Sequence, residues 1–329
     1  MRTRRLGRTG LDVSILGFGC GAIGGLMVRG APADQERAVA RAITLGVNYF
    51  DTAPQYGEGA SELNLGRVLK SLRADVRVGT KVRLQPADRG GLTAAITTSL
   101  DASLVRLGRD HVDLVQLHNR IGEPGAGDML SERTVLGEVA DAFDRLRRAG
   151  KTRFIGITAL GQTDALQRVI DSGRFDTAQV VYNALNPSAA GTPMTGAVGQ
   201  DYANLIGRVE AAGMGLIAVR VLAGGALAGL DARHPVAKQD VEPIGSAASY
   251  AEDLARARLL APIVAAGHAS SLAEAALRYV LAEPRVATAL IGVSSLGQLE
   301  SAIQAATLGP LPLEVMQQVR TLLGQRSRA

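Results

Sequence analysis

Cysteine occurs once, at Cys20, so no disulfide can close within the chain. A single thiol fits a reducing compartment, the cytoplasm. Tryptophan is absent and aromatic residues make up 3% of the chain. Acids and bases are interspersed, with no basic block and no basic stripe studded with aromatics. Nucleic-acid binding therefore gains no support from the net charge of +5. No apolar stretch is both long enough and free enough of glycine to cross a bilayer, so no membrane span is expected. Nothing resembles a linker, and one large domain over residues 1–329 is preferred to two smaller ones. The sequence assigns no oligomeric state. Lysine is also scarce: Lys70, Lys81, Lys151 and Lys238 stand against 32 arginines.

The N-terminus offers a rival reading. Arg2, Arg4 and Arg5 precede an apolar run from Val13 to Met27, and Ala31-Pro32-Ala33 looks like a small-residue cleavage site. Asp12 interrupts that junction, however, and Gly17, Gly19, Gly21, Gly24 and Gly25 break the run. A signal core wants helix-forming residues, so a retained strand is the preferred reading.

What is present is an alternation repeated about eight times. Short apolar, β-branched runs lie at Ile15–Phe18, Val47–Phe50, Val76–Val78, Leu114–Leu117, Phe154–Ile157, Ala178–Tyr182, Leu216–Val219 and Thr288–Ile291. Segments of helical period separate them, among them Gln35–Leu45, Glu62–Leu72, Leu92–Leu107, Leu136–Ala149, Ala165–Ser172, Leu205–Ala212 and Leu272–Leu281. Strands without polar alternation are covered on both faces, which means parallel strands flanked by helices. Eight such units suit a closed (β/α)8 TIM barrel. A doubly wound open sheet is the alternative, weakened because the glycine-rich turn after the first run does not open a helix in the dinucleotide-binding pattern. Two stretches fall outside the repeat, Pro187 to Gln200 and Leu222 to Ala255. Loops of that length serve as lids or binding loops, and in a barrel both sit at the C-terminal face.

Polar residues end three consecutive runs. Asn48-Tyr49-Phe50 leads into Asp51 with Tyr56 five residues on, Val76 to Thr80 leads into Lys81, and Asp113 to Leu117 leads into His118. On neighbouring parallel strands these four groups meet at one mouth, a set able to move a proton onto a carbonyl oxygen. A free phenol has a pKa near ~10 and is a sluggish proton shuttle at neutral pH. An ammonium about 4 Å away, at an effective dielectric near 20, favours the phenolate by roughly 4 kcal/mol. Asp51 is the candidate to hold the Lys81 charge, and His118 can donate to the carbonyl oxygen. In a chain that writes its cations as arginine, a lysine at a strand end points to a compact, titratable ammonium. The bland readings are a turn cap for Asp51, a loop aromatic for Tyr56 and a structural histidine for His118; the joint placement favours function. His111, His118, His234 and His268 show no metal-ligand spacing, and no metal is expected.

At these residues the chain resembles the aldo-keto reductases, nearly end to end. The resemblance runs through Leu6-Gly7-Arg8-Thr9-Gly10-Leu11, Leu16-Gly17-Phe18-Gly19, and then Gly46 to Ala53 with Tyr56-Gly57 and Glu62. It continues through Gly79-Thr80-Lys81, Leu117-His118, Gly150 to Gly156 and Gln179 to Asn183, in the family's order. The resemblance implies an N-terminal β-hairpin before a (β/α)8 barrel that binds NADPH in extended form. By position, Tyr56 would be the general acid, Lys81 would tune it, Asp51 would pair with Lys81 and His118 would orient the carbonyl. Gln179 and Thr158 would hold the nicotinamide carboxamide. The Gly21 region and Leu222 to Leu227, Gly224 included, would line the cofactor, with Gly292, Ser294 and Gln298 near the adenosine phosphate.

Departures narrow these expectations. Thr158-Ala159 stands where the family commonly has Ser-Asn. Arg220 ends the seventh run where an aromatic usually stacks on the nicotinamide; it either lies flat against that ring or forms a strand-end ion pair. Ser294 and Ala302 stand where a cation and an asparagine often read the adenosine phosphate and base, so NADH is an alternative to NADPH. The substrate pocket would draw on Ile23, Met27 and the long loops. Asn119 and Arg120 after His118 lean it toward sugars, glycosides or small polar aldehydes. The function expected is an NAD(P)H-dependent oxidoreductase interconverting a carbonyl (aldehyde, ketone or sugar) and its alcohol. The alternative is a nucleotide-binding regulatory or scaffold barrel with negligible turnover.

Overall fold

The apolar runs pair side by side in chain order and then close on themselves. The computed structural model describes residues 1–124, 127–192 and 199–324. The described residues form ten strands: β1 Thr3–Arg5, β2 Asp12–Ser14, β3 Leu16–Gly19, β4 Tyr49–Asp51, β5 Arg77–Val82, β6 Val112–Leu117, β7 Thr152–Thr158, β8 Thr177–Val181, β9 Gly215–Val219 and β10 Thr288–Gly292. Strands β3 to β10 form a closed parallel barrel in the order β10-β3-β4-β5-β6-β7-β8-β9. Helices between them cover its outer face, as a (β/α)8 barrel requires. Leu16–Gly19 is thus a barrel strand, in keeping with the strand reading of the N-terminal run.

Strands β1 and β2 form the antiparallel hairpin, with Arg4 opposite Val13. The hairpin closes the N-terminal end of the barrel. Leu6, Leu11 and Val13 are buried there against Tyr49, Leu114, Ile217 and Ala287. Gly7 makes the approach possible. Its φ is +50°, and a Cβ on it would collide with the backbone nitrogen of Gly215.

Register then orders the inner residues. Asp51 is level with Gly79, and Lys81 with Gln116. Side chains two apart on a strand share a face, so Tyr49 and Asp51 point inward together, as do Gly79 and Lys81. Gly79 leaves the room needed: a Cβ there would lie 2.5 Å from the Tyr49 hydroxyl.

Several boundaries differ from the expected ones. The helix expected over Leu136–Ala149 is continuous but starts earlier and changes its winding. It opens with a single turn at Glu132–Thr134, winds as a π-helix over Val135–Val139, and becomes α-helical at Ala140–Arg148. Leu222–Ala255 is not loop throughout, since a 3-10 turn occupies Ala223–Ala228 and a helix starts at Tyr250 behind the Ser249 cap. Further helices at Ala261–Ala265, Leu296–Leu308 and Leu313–Leu322 extend the C-terminal third. The expected loop at 187–200 opens with a 3-10 turn at Ser188–Ala190, and its residues 193–198 lie outside the described ones.

Candidate active site

At the C-terminal end of the barrel the polar residues converge. Lys81 is 1% exposed. Its ammonium bonds one Asp51 carboxylate oxygen, and it donates to the Thr52 carbonyl at 2.9 Å. The other oxygen, Oδ2, accepts from Gln179 Nε2 at 2.7 Å, Gln116 Nε2 at 3.2 Å and the Tyr49 hydroxyl at 3.4 Å. Bringing both charges out of water opposes this pair by several kcal/mol per ion. The ring of donors around one carboxylate offsets that cost and fixes the ammonium in place.

Tyr56 sits in the turn after β4, which also carries it against Gly21, whose added Cβ would lie 3.7 Å from its ring. Lys81 Nζ is 5.0 Å from the Tyr56 ring centroid. The His118 ring stands edge-on to the phenol, 5.9 Å between centroids and 87° between planes. The expected contact between phenol and ammonium is therefore present. The sign of the resulting shift is not the expected one. Burial raises the phenol above its ordinary pKa of 10, and Lys81, pulling it down, does not outweigh that effect or the added push from Asp51. Tyr56 is held as a neutral, proton-bearing phenol.

Burial also acts on Lys81, pulling it down, but the Asp51 charge, with hydrogen bonds to Asp51 and Tyr56, holds the ammonium above its usual range. The His118 imidazole is pushed down to about 3 by burial, then by Lys81 and Arg83. It is neutral at any ordinary pH. Its Nδ1 lies 3.1 Å from the Gln55 side-chain oxygen.

Asp51, Tyr56 and His118, though not Lys81, border a cavity of about 930 Å³, at the upper end of the range for small-ligand sites. Asp51, Tyr56, His118, Gly21, Thr158, Gln179, Arg220, Leu222, Gly224, Gly292, Ser294 and Gln298 all line it. Thr158 Oγ1 is buried beside it with no hydrogen-bond partner among the described residues. Ser294 is differently occupied: its hydroxyl donates to the Gly24 carbonyl and its backbone N–H to Gln298 Oε1. Arg220 forms no ion pair among the described residues; Nη1 donates to the Glu242 carbonyl at 3.1 Å, and its backbone φ of +57° marks a strained turn. The strand-end ion pair is thereby set aside.

Three expected pocket residues, Met27, Asn119 and Arg120, do not line the cavity, and Arg120 is exposed outside it. Met27 is buried in the core at 1% exposure, whereas Ile23 does line the cavity. Asn119 is fully buried and satisfied, bonding the Leu84 backbone on both sides and the Asp128 carbonyl. It ties two loops together and gives the pocket no polar wall. Glu62 is likewise structural in its contacts, joining Thr80 and Arg106.

Sequence reasoning missed Tyr49, Gln116 and Gln55. Gln116 carried a signal, an amide inside an apolar run two residues before His118 and hence on the same strand face. Gln55 lies in an irregular turn where no periodicity points to it. Arg233, His234 and Lys238, from the long segment after β9, also line the cavity.

Comparisons with known proteins agree with this architecture. The model of the aldo/keto reductase family matches residues 15–323. The chain is 30% identical over 309 residues to an L-galactose dehydrogenase of Arabidopsis thaliana, covering 92% of this chain and 88% of that protein. It is 28% identical to an L-glyceraldehyde 3-phosphate reductase of Escherichia coli, over 93% of this chain and 87% of that one. Among solved structures, the holo form of an aldo-keto reductase from Bacillus halodurans superposes with a TM-score of 0.72 at 26% identity, covering 98% of this chain and 96% of that one. With the family model spanning nearly the whole barrel, the chain belongs to the aldo/keto reductase family of oxidoreductases.

Proposed function

We propose that this protein, as one barrel domain over residues 1–329, interconverts an aldehyde, ketone or sugar carbonyl and its alcohol with NAD(P)H, and that Tyr56 passes the proton. The bound nicotinamide cofactor supplies or accepts the hydride. The observation that carries the reading is a neutral phenol held between a buried ammonium and a neutral imidazole at the mouth of a large cavity. In reduction the phenol gives its proton to the oxygen that gains charge. Lys81, anchored by Asp51, stabilises the phenolate left behind, and in oxidation the same phenolate takes the proton back.

The residues present fit such a cofactor. The Thr158 hydroxyl, partnerless among the described residues, is available to bond a carboxamide, and Gln179, with Nε2 committed to Asp51, has its oxygen left for the same group. Arg220, which forms no ion pair among the described residues, suits the face of the nicotinamide ring. The start of the helix Leu296–Leu308 offers backbone N–H groups to a phosphate. Around that helix the lining residues Ser294, Ser295, Gln298 and Ser301 are uncharged. With no cation among the described lining residues of that helix to select the 2′-phosphate, NADH is expected to bind within about tenfold of NADPH, a difference under ~1.4 kcal/mol, by fluorescence titration. A hundredfold preference for NADPH would refute the uncharged-end argument.

A hydroxylated aldehyde or sugar is the substrate class best supported. The relatives are named for L-galactose and L-glyceraldehyde 3-phosphate, and Tyr56, His118, His234 and Tyr250 supply the only rings among the cavity's described lining. Stopped-flow oxidation of NADPH by 4-nitrobenzaldehyde tests the whole reading. Tyr56→Phe should lower turnover by on the order of 10²–10⁴ while cofactor affinity holds. Unaltered turnover would remove Tyr56 from the reaction, and cofactor binding with no turnover in the unsubstituted protein would leave only a nucleotide-binding barrel.

A further inference from the structure

The Gln55–His118 contact stands apart from the bonds that hold Asp51. Gln55 directly precedes Tyr56 in the turn between β4 and the helix Ala60–Leu72. One turn thus delivers both the phenol and the amide that meets the imidazole, 3.1 Å from its Nδ1. An amide oxygen only accepts hydrogen bonds, so in this arrangement Nδ1 carries the ring proton and Nε2 presents a lone pair. A half-turn of the amide brings its NH2 to Nδ1 instead, and the ring proton then resides on Nε2. Only this second state can donate from Nε2 to a carbonyl oxygen.

The surroundings leave the tautomer as the variable. No other side-chain hydrogen bond reaches the ring among the described residues. Tyr56 faces it edge-on. Lys81, balanced by Asp51, and Arg83, paired with Asp128, act on it by charge and hold it uncharged. Arg120, two residues on, is exposed.

We propose that Gln55 is a positioning residue for His118: its amide decides which ring nitrogen bears the proton, and the NH2-to-Nδ1 orientation readies Nε2–H for a carbonyl oxygen. The proposal rests on the reductase reading of the site. Glutamine suits the task because it is uncharged and has both a donor end and an acceptor end. A carboxylate at this place accepts only, so it locks the proton on Nδ1 and favours the imidazolium.

Gln55→Glu and Gln55→Met separate this role from simple packing. The measurement is kcat/KM for NADPH-driven reduction of 4-nitrobenzaldehyde from about pH 4 to 9, which spans the region into which a facing carboxylate would lift an imidazole held at about 3. The Gln55→Glu variant should fall by on the order of 10²-fold at the alkaline end, the loss typical of one missing donor to a developing oxyanion. It should recover as pH drops, because the imidazolium carries a proton on both nitrogens. Gln55→Met should lose activity evenly, with a curve of unchanged shape.

The 15N signals of His118, assigned by their loss in His118→Asn, give a readout independent of turnover. With NADP+ bound, the unsubstituted protein should show the proton on Nε2 and Gln55→Glu should show it on Nδ1. Superimposable pH curves, or the same His118 tautomer in both proteins, would overturn the proposal. If Gln55→Glu does not fold, an unchanged tautomer in Gln55→Met overturns it equally. A protein that reduces no carbonyl would sink the reductase reading, while the 15N comparison would still decide the role of Gln55.

Discussion

The two ends of the barrel are built on opposite principles. At the N-terminal end, the hairpin presses Leu6, Leu11 and Val13 onto Tyr49, Leu114 and Ile217, with each of these side chains nearly or wholly buried. That end is a dry plug whose contribution scales with apolar area. At the C-terminal end, one carboxylate gathers an ammonium, two amides and a phenol, and a buried hydroxyl at Thr158 has no partner among the described residues. Positive φ values at Glu58, Arg220 and Ala223 cluster there too. Tyr49 belongs to both ends, its ring in the plug and its hydroxyl on Asp51. The contrast teaches that stability and chemistry are separately seated in this fold and joined through the strands.

Substitutions at each end sharpen the contrast. Asp51→Ala should produce the largest effect, because it leaves the Lys81 ammonium buried without a counter-charge. A loss of about 3–5 kcal/mol is expected by urea denaturation, together with loss of carbonyl reduction. If stability held, the carboxylate would not be what keeps the charge buried. Leu6→Ala should reduce stability by about 2–5 kcal/mol through a cavity in the plug, with kcat/KM at the mouth changed less than twofold, or under ~0.4 kcal/mol in the barrier. A large kinetic effect from Leu6→Ala would break the separation of the two ends.

The smallest expected effect is a pH dependence confined to the mouth. Tyr56 is raised above 10 by burial, so reduction, which needs the protonated phenol, should stay level through neutral pH and decline only on the alkaline side of 10. Oxidation, which needs the phenolate, should rise over the same range. His118, at about 3, should contribute no inflection near neutrality. A reduction rate that halves between pH 7 and 8 would show that Lys81 outweighs burial after all.

Much of this was readable from order and type of residue. The eight strand centres follow from apolar runs between helical periods, and a helix expected over Leu92–Leu107 is found over those same residues. Asp51, Tyr56, Lys81 and His118 were marked by their place at or just past the ends of consecutive strands. The π winding over Val135–Val139 was not readable, because these residues keep one apolar face whichever helical winding they adopt. Asn119 was misread as pocket lining, since a polar residue after a strand looks alike whether it faces a cavity or bonds the Leu84 backbone.

The sequence by itself determined the repeat, the parallel barrel and the chemical identity of the groups at its mouth, because side-chain period and strand ends are local properties. Only the tertiary structure decided how those groups act on one another. Gln179 reaches Asp51 from 128 residues away, and Gln55 reaches His118 across 63, contacts that no local pattern encodes. The direction in which the Tyr56 phenol shifts was also settled there, since it depends on how completely packing strips water from the site, and the charge of Lys81 alone points the other way.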